Sequence, residues 1–172
     1  ADSRKVEDFW MHLHRKGLQS ALLDIPKTYP KEDFNGIHFV NWGDENPSWE
    51  QSSWPPSFKN EVLKKFGQHP LYKWYQARPK TPQECEDTLQ KLFVGIERRT
   101  EMAKWVIKEK QWDFFMMNYA EPHWAGHIYW HIMDENHPEH DAELAKDYGD
   151  AILRSYQKCD AALAELLPLI GD

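Results

Sequence analysis

Apolar residues recur in two rhythms along this chain, and their alternation predicts its elements. From Glu7 to Lys16, Phe9, Trp10 and Leu13 return at helical spacing before Gly17, which predicts a short amphipathic helix with a glycine stop. Leu18 to Ile25 is then mostly apolar up to Pro26. That pattern predicts a strand, ended by a residue that cannot donate to a sheet ladder. Ile37 to Trp42 predicts a second short strand, and Ser57 to Phe66 a short helix. After Thr81-Pro82, the residues Leu89, Leu92, Phe93, Ile96, Met102, Ala103, Val106 and Ile107 keep a 3.6-residue period. Thr81 suits an N-cap and Pro82 a first helical position, so a helix is expected to run to Lys110 with one face on a sheet. Asp113 to Tyr119 is continuously apolar, as in a central strand covered on both faces. A last long helix is expected from Glu139 to Leu167, carrying Leu144, Tyr148, Ile152, Tyr156, Cys159, Leu163 and Leu166. Helices alternate with strands, so the expected class is α/β.

Composition changes this picture in one place. Seven of the eleven prolines lie between Pro26 and Pro79, and Trp42, Trp49, Trp54 and Trp74 stand among Asn, Asp, Gly and Ser. Such a stretch favours turns and irregular backbone held by large aromatics. Residues 27–82 are therefore expected to form a cap-like excursion, a lid or pocket rim, within one domain spanning 1–172. The length of 172 residues fits a single domain with an ordinary core. A net charge of -7 argues against nonspecific nucleic-acid binding, which needs clustered Lys and Arg. No apolar run approaches the ~20 residues of a membrane span, so the chain is expected to be soluble and not a membrane protein. Cys85 and Cys159 have no metal-ribbon spacing, both fall on predicted helices, and buried free thiols are expected.

Chemistry concentrates in one segment. Glu121-Pro-His123-Trp-Ala-Gly-His127-Ile-Tyr-Trp-His131-Ile-Met-Asp134 directly follows the apolar run, and nowhere else are metal-binding and proton-moving groups so dense. Residues one helical turn apart share a face, so His123 and His127 can meet one ion, and His131 extends the stripe. In open α/β sheets chemistry collects at the carboxyl ends of strands, which places Glu121, His123 and His127 there and makes Asp24 the corresponding carboxylate after the first strand. Imidazole and carboxylate suit Zn²⁺ or Mn²⁺. The spacing alone reads equally well as structural histidines packed among Trp124, Tyr129 and Trp130, and for His131, His137 and His140 polar contacts in a surface loop are the simpler reading. No GxSxG elbow, HExxH motif or glycine-rich phosphate loop is present.

The segment WDFFMMNYAEPHWAGHIYWHIMDENHPEH, with the following HPEHDAELAKDYGDAILRSYQKCDAALAELL, resembles the type I phosphodiesterase/nucleotide pyrophosphatase branch of the alkaline phosphatase superfamily. The earlier ALLDIPKTYP, NGIHFVNWGDENP and FKNEVLKKFGQHP look like that family's strand and variable cap region. The resemblance implies a partial alkaline-phosphatase-like three-layer sandwich. It also implies a metal-dependent hydrolase of phosphoric esters, phosphodiesterase or phosphatase, acting on a small phosphate ester. By the same likeness His127 matches a metal-binding histidine, and His123 stands where much of the family has Asp. The implied cofactor is a divalent metal, Zn²⁺ or alternatively Mn²⁺. Glu121, and His131 further along, would stand behind the ligands, Glu121 fixing an imidazole tautomer.

The family's site also uses a second metal, a Thr or Ser nucleophile and a later Asp-His pair, none of which this sequence shows. The chain is therefore expected to be an internal segment carrying part of a catalytic domain, completed by a partner chain or by self-association along an open sheet edge. A non-catalytic domain with a structural metal at His123 and His127 is the alternative reading.

Overall fold

A computed structural model of the chain describes residues 6–43, 50–73, 78–109 and 111–170. Its elements are α1 (Trp10–Arg15), β1 (Ser20–Leu23), β2 (Gly36–Val40), β3 (Ser52–Trp54), α2 (Pro56–Phe66), α3 (Pro82–Glu109), β4 (Phe114–Met117), α4 (Glu121–Met133), α5 (Ala142–Tyr148) and α6 (Ala151–Leu166). The class is α/β, with four strands in the order β3-β2-β1-β4. β1 pairs in parallel with both β2 and β4, while β3 runs antiparallel to β2.

Why β1 sits at the centre follows from its side chains. All four residues are buried, which a strand achieves only with neighbours on both edges and helices on both faces. On one face Leu22 packs with Trp10 and Met11 of α1 and with Phe34. On the other, Ala21 and Leu23 meet Phe58 and Val62 of α2 and Met102 and Val106 of α3. Helices thus cover both faces of the sheet. β4 differs from the expected central strand. Its alternate residues do reach both cores, Phe114 and Met116 on one side and Phe115 and Met117 on the other. Yet among the described strands it lies at the edge, and all four residues are only partly buried. Continuous apolarity reports two covered faces and says nothing about a neighbour in the plane of the sheet.

Residues 27–82 hold the expected short strand and short helix as β2 and α2, together with β3, and both strands join the sheet. The link from Asp24 to Asn35 carries the chain from β1 to the adjacent parallel β2, about the dozen residues that a parallel crossover needs. β2 begins one residue before the expected Ile37, at Gly36, and glycine is required there. Its φ is +142°, and a Cβ would stand 1.9 Å from the Ser20 carbonyl oxygen of the paired strand. β3 had no periodic signal, being three residues long. Trp49 and Trp74 lie outside the described residues.

The helices follow the pattern closely. Thr81 caps α3 as expected, its hydroxyl accepting the Glu84 amide at 3.2 Å. The expected last helix is divided at Gly149-Asp150 into α5 and α6, and Asp141 caps α5 by accepting the Glu143 and Leu144 amides. Together α4, α5 and α6 pack on α3, through Leu89, Leu92, Trp124, Ile128, Tyr129, Leu144 and Tyr148 among others. No helix among the described residues is long and apolar enough to cross a membrane.

Cys85 in α3 and Cys159 in α6 are free and buried, as expected. Burial pushes their thiols up to about 11 and about 12. Both therefore stay protonated at neutral pH, and the thiol is a poor nucleophile. Neither is expected to react with an aromatic disulfide reagent at neutral pH until the protein is unfolded, when both should. Rapid labelling of either in the native protein would contradict this.

Candidate functional site

At the carboxyl ends of the parallel strands, β1 and β2 are each followed by a residue in the left-handed region, Asp24 (φ 58°) and Asn41 (φ 64°). Asp and Asn tolerate that conformation better than other side-chain-bearing residues. The turn aims the Asp24 carboxylate back over the strand ends, where Oδ1 accepts the Trp42 amide and Oδ2 the Gly43 amide, both at 2.9 Å. Arg99, from the middle of α3, donates through Nη1 to Asp24 Oδ2 at 2.6 Å and through Nε to Glu121 Oε1 at 3.1 Å. Nε2 of His69 bonds the same Glu121 oxygen at 3.0 Å. Arg99 and Glu121 are 0% exposed, His69 2% and Asp24 3%.

The protonation of this cluster can be followed bond by bond. The Leu71 amide donates to His69 Nδ1 at 3.1 Å, so the ring proton sits on Nε2 and is donated to Glu121. The single guanidinium of Arg99 faces two carboxylates. Burial pushes the Glu121 carboxyl up, but the Arg99 charge and the His69 bond outweigh it and hold it below its ordinary value of 4.5. Arg99 is likewise raised against burial by Glu121 and Asp24 and stays charged. Two polar atoms of the cluster, Arg99 Nη2 and Glu121 Oε2, have no hydrogen-bond partner among the described residues.

Trp42 walls the cluster. The Arg99 guanidinium lies 5.3 Å from its ring centre, and the His69 ring meets it edge-on at 4.9 Å. Two glycines make the room. A Cβ on Gly95 would stand 2.4 Å from His69 Nε2, and one on Gly43 2.5 Å from Arg99 Nη2.

Glu121 is also the first residue of α4, whose N-cap, Ala120, contributes no side-chain bond. His123 and His127 are exposed. Their Nε2 atoms are hydrogen-bonded to each other at 3.1 Å, with ring centres 4.5 Å apart and planes at 85°. His131 is buried at 6% exposure, and its ring lies 6.1 Å from that of His137 in the turn after α4. Burial, then the charges of Arg78 and His137, lower its pKa, so it is neutral at neutral pH.

Two depressions meet at His123. One is a crevice of about 300 Å³ at the ends of β1 and β4, lined by Asp24, Pro26, Lys27, Asn118, Tyr119 and His123. Lys27 holds a left-handed φ of 58° there, which costs about 1–2 kcal/mol for a residue of its kind. The other is a groove of about 660 Å³ along the outer face of α4, lined by His123, His127, Trp130, His131, His137 and Tyr156.

The structure thus brings together the two histidines picked out by spacing, and sets Asp24 beside His123 in the crevice. It does not bring Glu121 to either of them, because the imidazole that Glu121 holds is His69. As a test of metal fit, two ligands about 2.0–2.1 Å from a tetrahedral ion stand about 3.3 Å apart, close to the observed 3.1 Å. The separation is compatible with two ligands of such an ion, and it is also the length of the hydrogen bond the two rings make with each other. Among the described residues no group of three or more His, Cys, Asp or Glu gathers around one point. Sequence reasoning missed Arg99 and His69. A signal for the first exists, since Leu89, Leu92, Ile96, Arg99, Ala103 and Val106 form one helical stripe in which a lone arginine interrupts apolar residues.

No known family model matches the chain, and no solved structure matches it. A chondroitin hydrolase of Caenorhabditis elegans is 30% identical over 101 residues, 58% of this chain. The matched part is 21% of that protein, so the chain spans about a fifth of this relative's length.

Proposed function

We propose that this chain carries part of the site of a metal-dependent hydrolase of phosphoric esters. The observation that carries the reading is the His123–His127 pair, its Nε2 atoms converging to 3.1 Å at the mouth of a crevice over the carboxyl ends of β1 and β4. His123 and His127 would hold a divalent ion, Zn²⁺ or Mn²⁺, with further ligands from outside the described residues. Such an ion polarises a phosphoryl oxygen and acidifies bound water. The chain's own residues supply the rest. The Lys27 ammonium offsets phosphoryl charge in the crevice, Asn118 donates to or accepts from the ester, and Tyr119 and Pro26 give its organic part an apolar wall. The outer edge of β4 has no strand beside it among the described residues, and a partner chain or second copy pairing there would complete the sheet.

The relative's name favours a second reading, hydrolysis of a polysaccharide such as chondroitin. Glycoside hydrolysis ordinarily needs two carboxyl groups flanking the bond. The crevice is lined by one, Asp24, whose oxygens are already bound by Trp42, Gly43 and Arg99. The phosphoric-ester reading is therefore preferred.

Zinc titration by calorimetry, with a chromogenic phosphodiester and chondroitin as parallel substrates, tests both. Wild type should bind zinc, and His127→Ala should weaken binding at least about tenfold, about 1.4 kcal/mol. An exposed position predicts a stability change within about 0.5 kcal/mol for that variant. No zinc binding would remove the metal reading, and turnover of chondroitin alone would establish the second.

A further inference from the structure

The helix α6 carries two lines of side chains, one buried and one facing solvent. Ala151, Ser155, Cys159, Ala162 and Leu166 are buried. Leu153, Tyr156, Asp160, Leu163 and Leu167 follow one another in steps of three and four. At about 100° per residue they form one stripe, about 120° around the helix from the buried line and about four turns long. Its apolar members are 57%, 59%, 47% and 65% exposed. Ten large apolar side chains are exposed among the described residues, and six stand on this stripe or, as Trp130 and Met133, on the neighbouring α4. Apolar residues scattered singly over a surface need no partner, but a contiguous set of them marks an interaction site. Steps of three and four are the seam of a helix pair, in which each side chain fills a hole on the facing helix. Ala164, exposed beside the seam, is small enough to let a second backbone approach.

The middle of the stripe is a carboxylate. Asp160 is exposed, and its side chain has no hydrogen bond or ion pair among the described residues. The basic residues of the same helix are committed elsewhere, Arg154 to Asp150 and Lys158 to Glu97. A partner that buries the stripe desolvates this carboxylate, which is costly unless a cation meets it. A second copy paired along the same line about a two-fold axis would bring Asp160 towards its own equivalent, two like charges in one seam. A single polar residue at a seam position instead selects a partner and a register. We propose that this face of α6 docks an amphipathic helix of a different polypeptide, whose apolar residues at the same spacing flank a lysine or arginine facing Asp160. No residue of the stripe lines the crevice over β1 and β4, so docking and hydrolysis are separable.

The probes are two lactam-bridged helical peptides of about three heptads, with leucine at the seam positions and either lysine or glutamate at the central one. Fluorescence anisotropy follows their binding to wild type, Asp160→Lys, Leu163→Glu and Tyr29→Glu, the last an exposed apolar position in the link between β1 and β2. Wild type should bind the lysine peptide at least about tenfold more tightly than the glutamate peptide, and Asp160→Lys should reverse that preference. Leu163→Glu should weaken the lysine peptide at least about tenfold, and Tyr29→Glu should bind it as wild type does. The net charge of -7 favours any cationic peptide, so it is the reversal that locates the contact at Asp160. No binding of the lysine peptide, a preference that Asp160→Lys leaves unchanged, or an equal loss in Tyr29→Glu overturns the proposal. If thermal melting shows Leu163→Glu unfolded, Asp160→Lys decides alone. Sedimentation equilibrium of the free protein completes the test: a dimer that Leu163→Glu splits makes a second copy the occupant and overturns the proposal as well.

Discussion

Arg99→Ala is expected to lower the stability of the fold by about 3–5 kcal/mol, the range for breaking a buried ion pair by removing one partner. The cost exceeds the worth of the bonds themselves. Without the guanidinium, Asp24 keeps two backbone donors, but Glu121 loses the strongest of its stabilising partners and remains a fully buried carboxylate. The pH dependence should distinguish this cause from simple loss of packing. In wild type the Glu121 carboxyl is held below its ordinary 4.5, so its contribution is complete above that value and lost as pH falls through the folded pKa. In the variant, burial acts without Arg99 and raises the carboxyl. Protonation then favours the folded state, and the stability gap should narrow as the solution is acidified from neutrality. Urea unfolding at several pH values measures both. A gap below about 1 kcal/mol, typical of an exposed ion pair, would show that the cluster is not dry.

Trp42→Ala should cost a similar amount, about 3–5 kcal/mol, the usual range for deleting a buried tryptophan. Trp42 is 0% exposed, and its indole donates to the Gly67 carbonyl at 3.0 Å. Its ring lies against both the Arg99 guanidinium and the His69 imidazole. Deleting it leaves a cavity beside charged groups, and a polar, roomy cavity admits water. The expected result is a large fall in the unfolding midpoint together with faster hydrogen exchange at the Gly43 amide, which bonds Asp24. A midpoint loss with unchanged exchange there would confine Trp42 to packing.

Much of the fold was legible because its signals are local. The stripe through Leu89, Leu92, Ile96, Ala103 and Val106 marked α3, the Thr81-Pro82 start marked its cap, and the four-residue spacing put His123 and His127 on one face of a helix. What was not legible depends on partners distant in the chain. Phe114 to Met117 carried the apolar pattern of a covered strand, but no local pattern tells an edge from a centre. The proline and tryptophan content of residues 27–82 suggested an excursion, whereas β2 is placed in the sheet by pairing with β1, a contact that composition does not encode. The charge cluster was hidden for the same reason. Asp24, His69, Arg99 and Glu121 lie far apart in sequence, and only their burial shows that they are one group. A single arginine in an apolar stripe and a glycine beside it, Gly95, were the available clues, and each is ordinary on its own.

The rotation of α4 also sets what this region can tolerate as sequences diverge. Exchanging His123 for a carboxylate alters one exposed side chain and leaves the buried face of α4 where it stands. Inserting or deleting one residue between Glu121 and His123 would put Glu121 about 100° out of phase with the buried face of Trp124, Ile128, Tyr129 and Ile132, so the helix could no longer hold both in the core. The spacing of that first turn is therefore held more tightly than the identity of the side chains it presents, and divergence here should proceed by substitution and avoid changes of length.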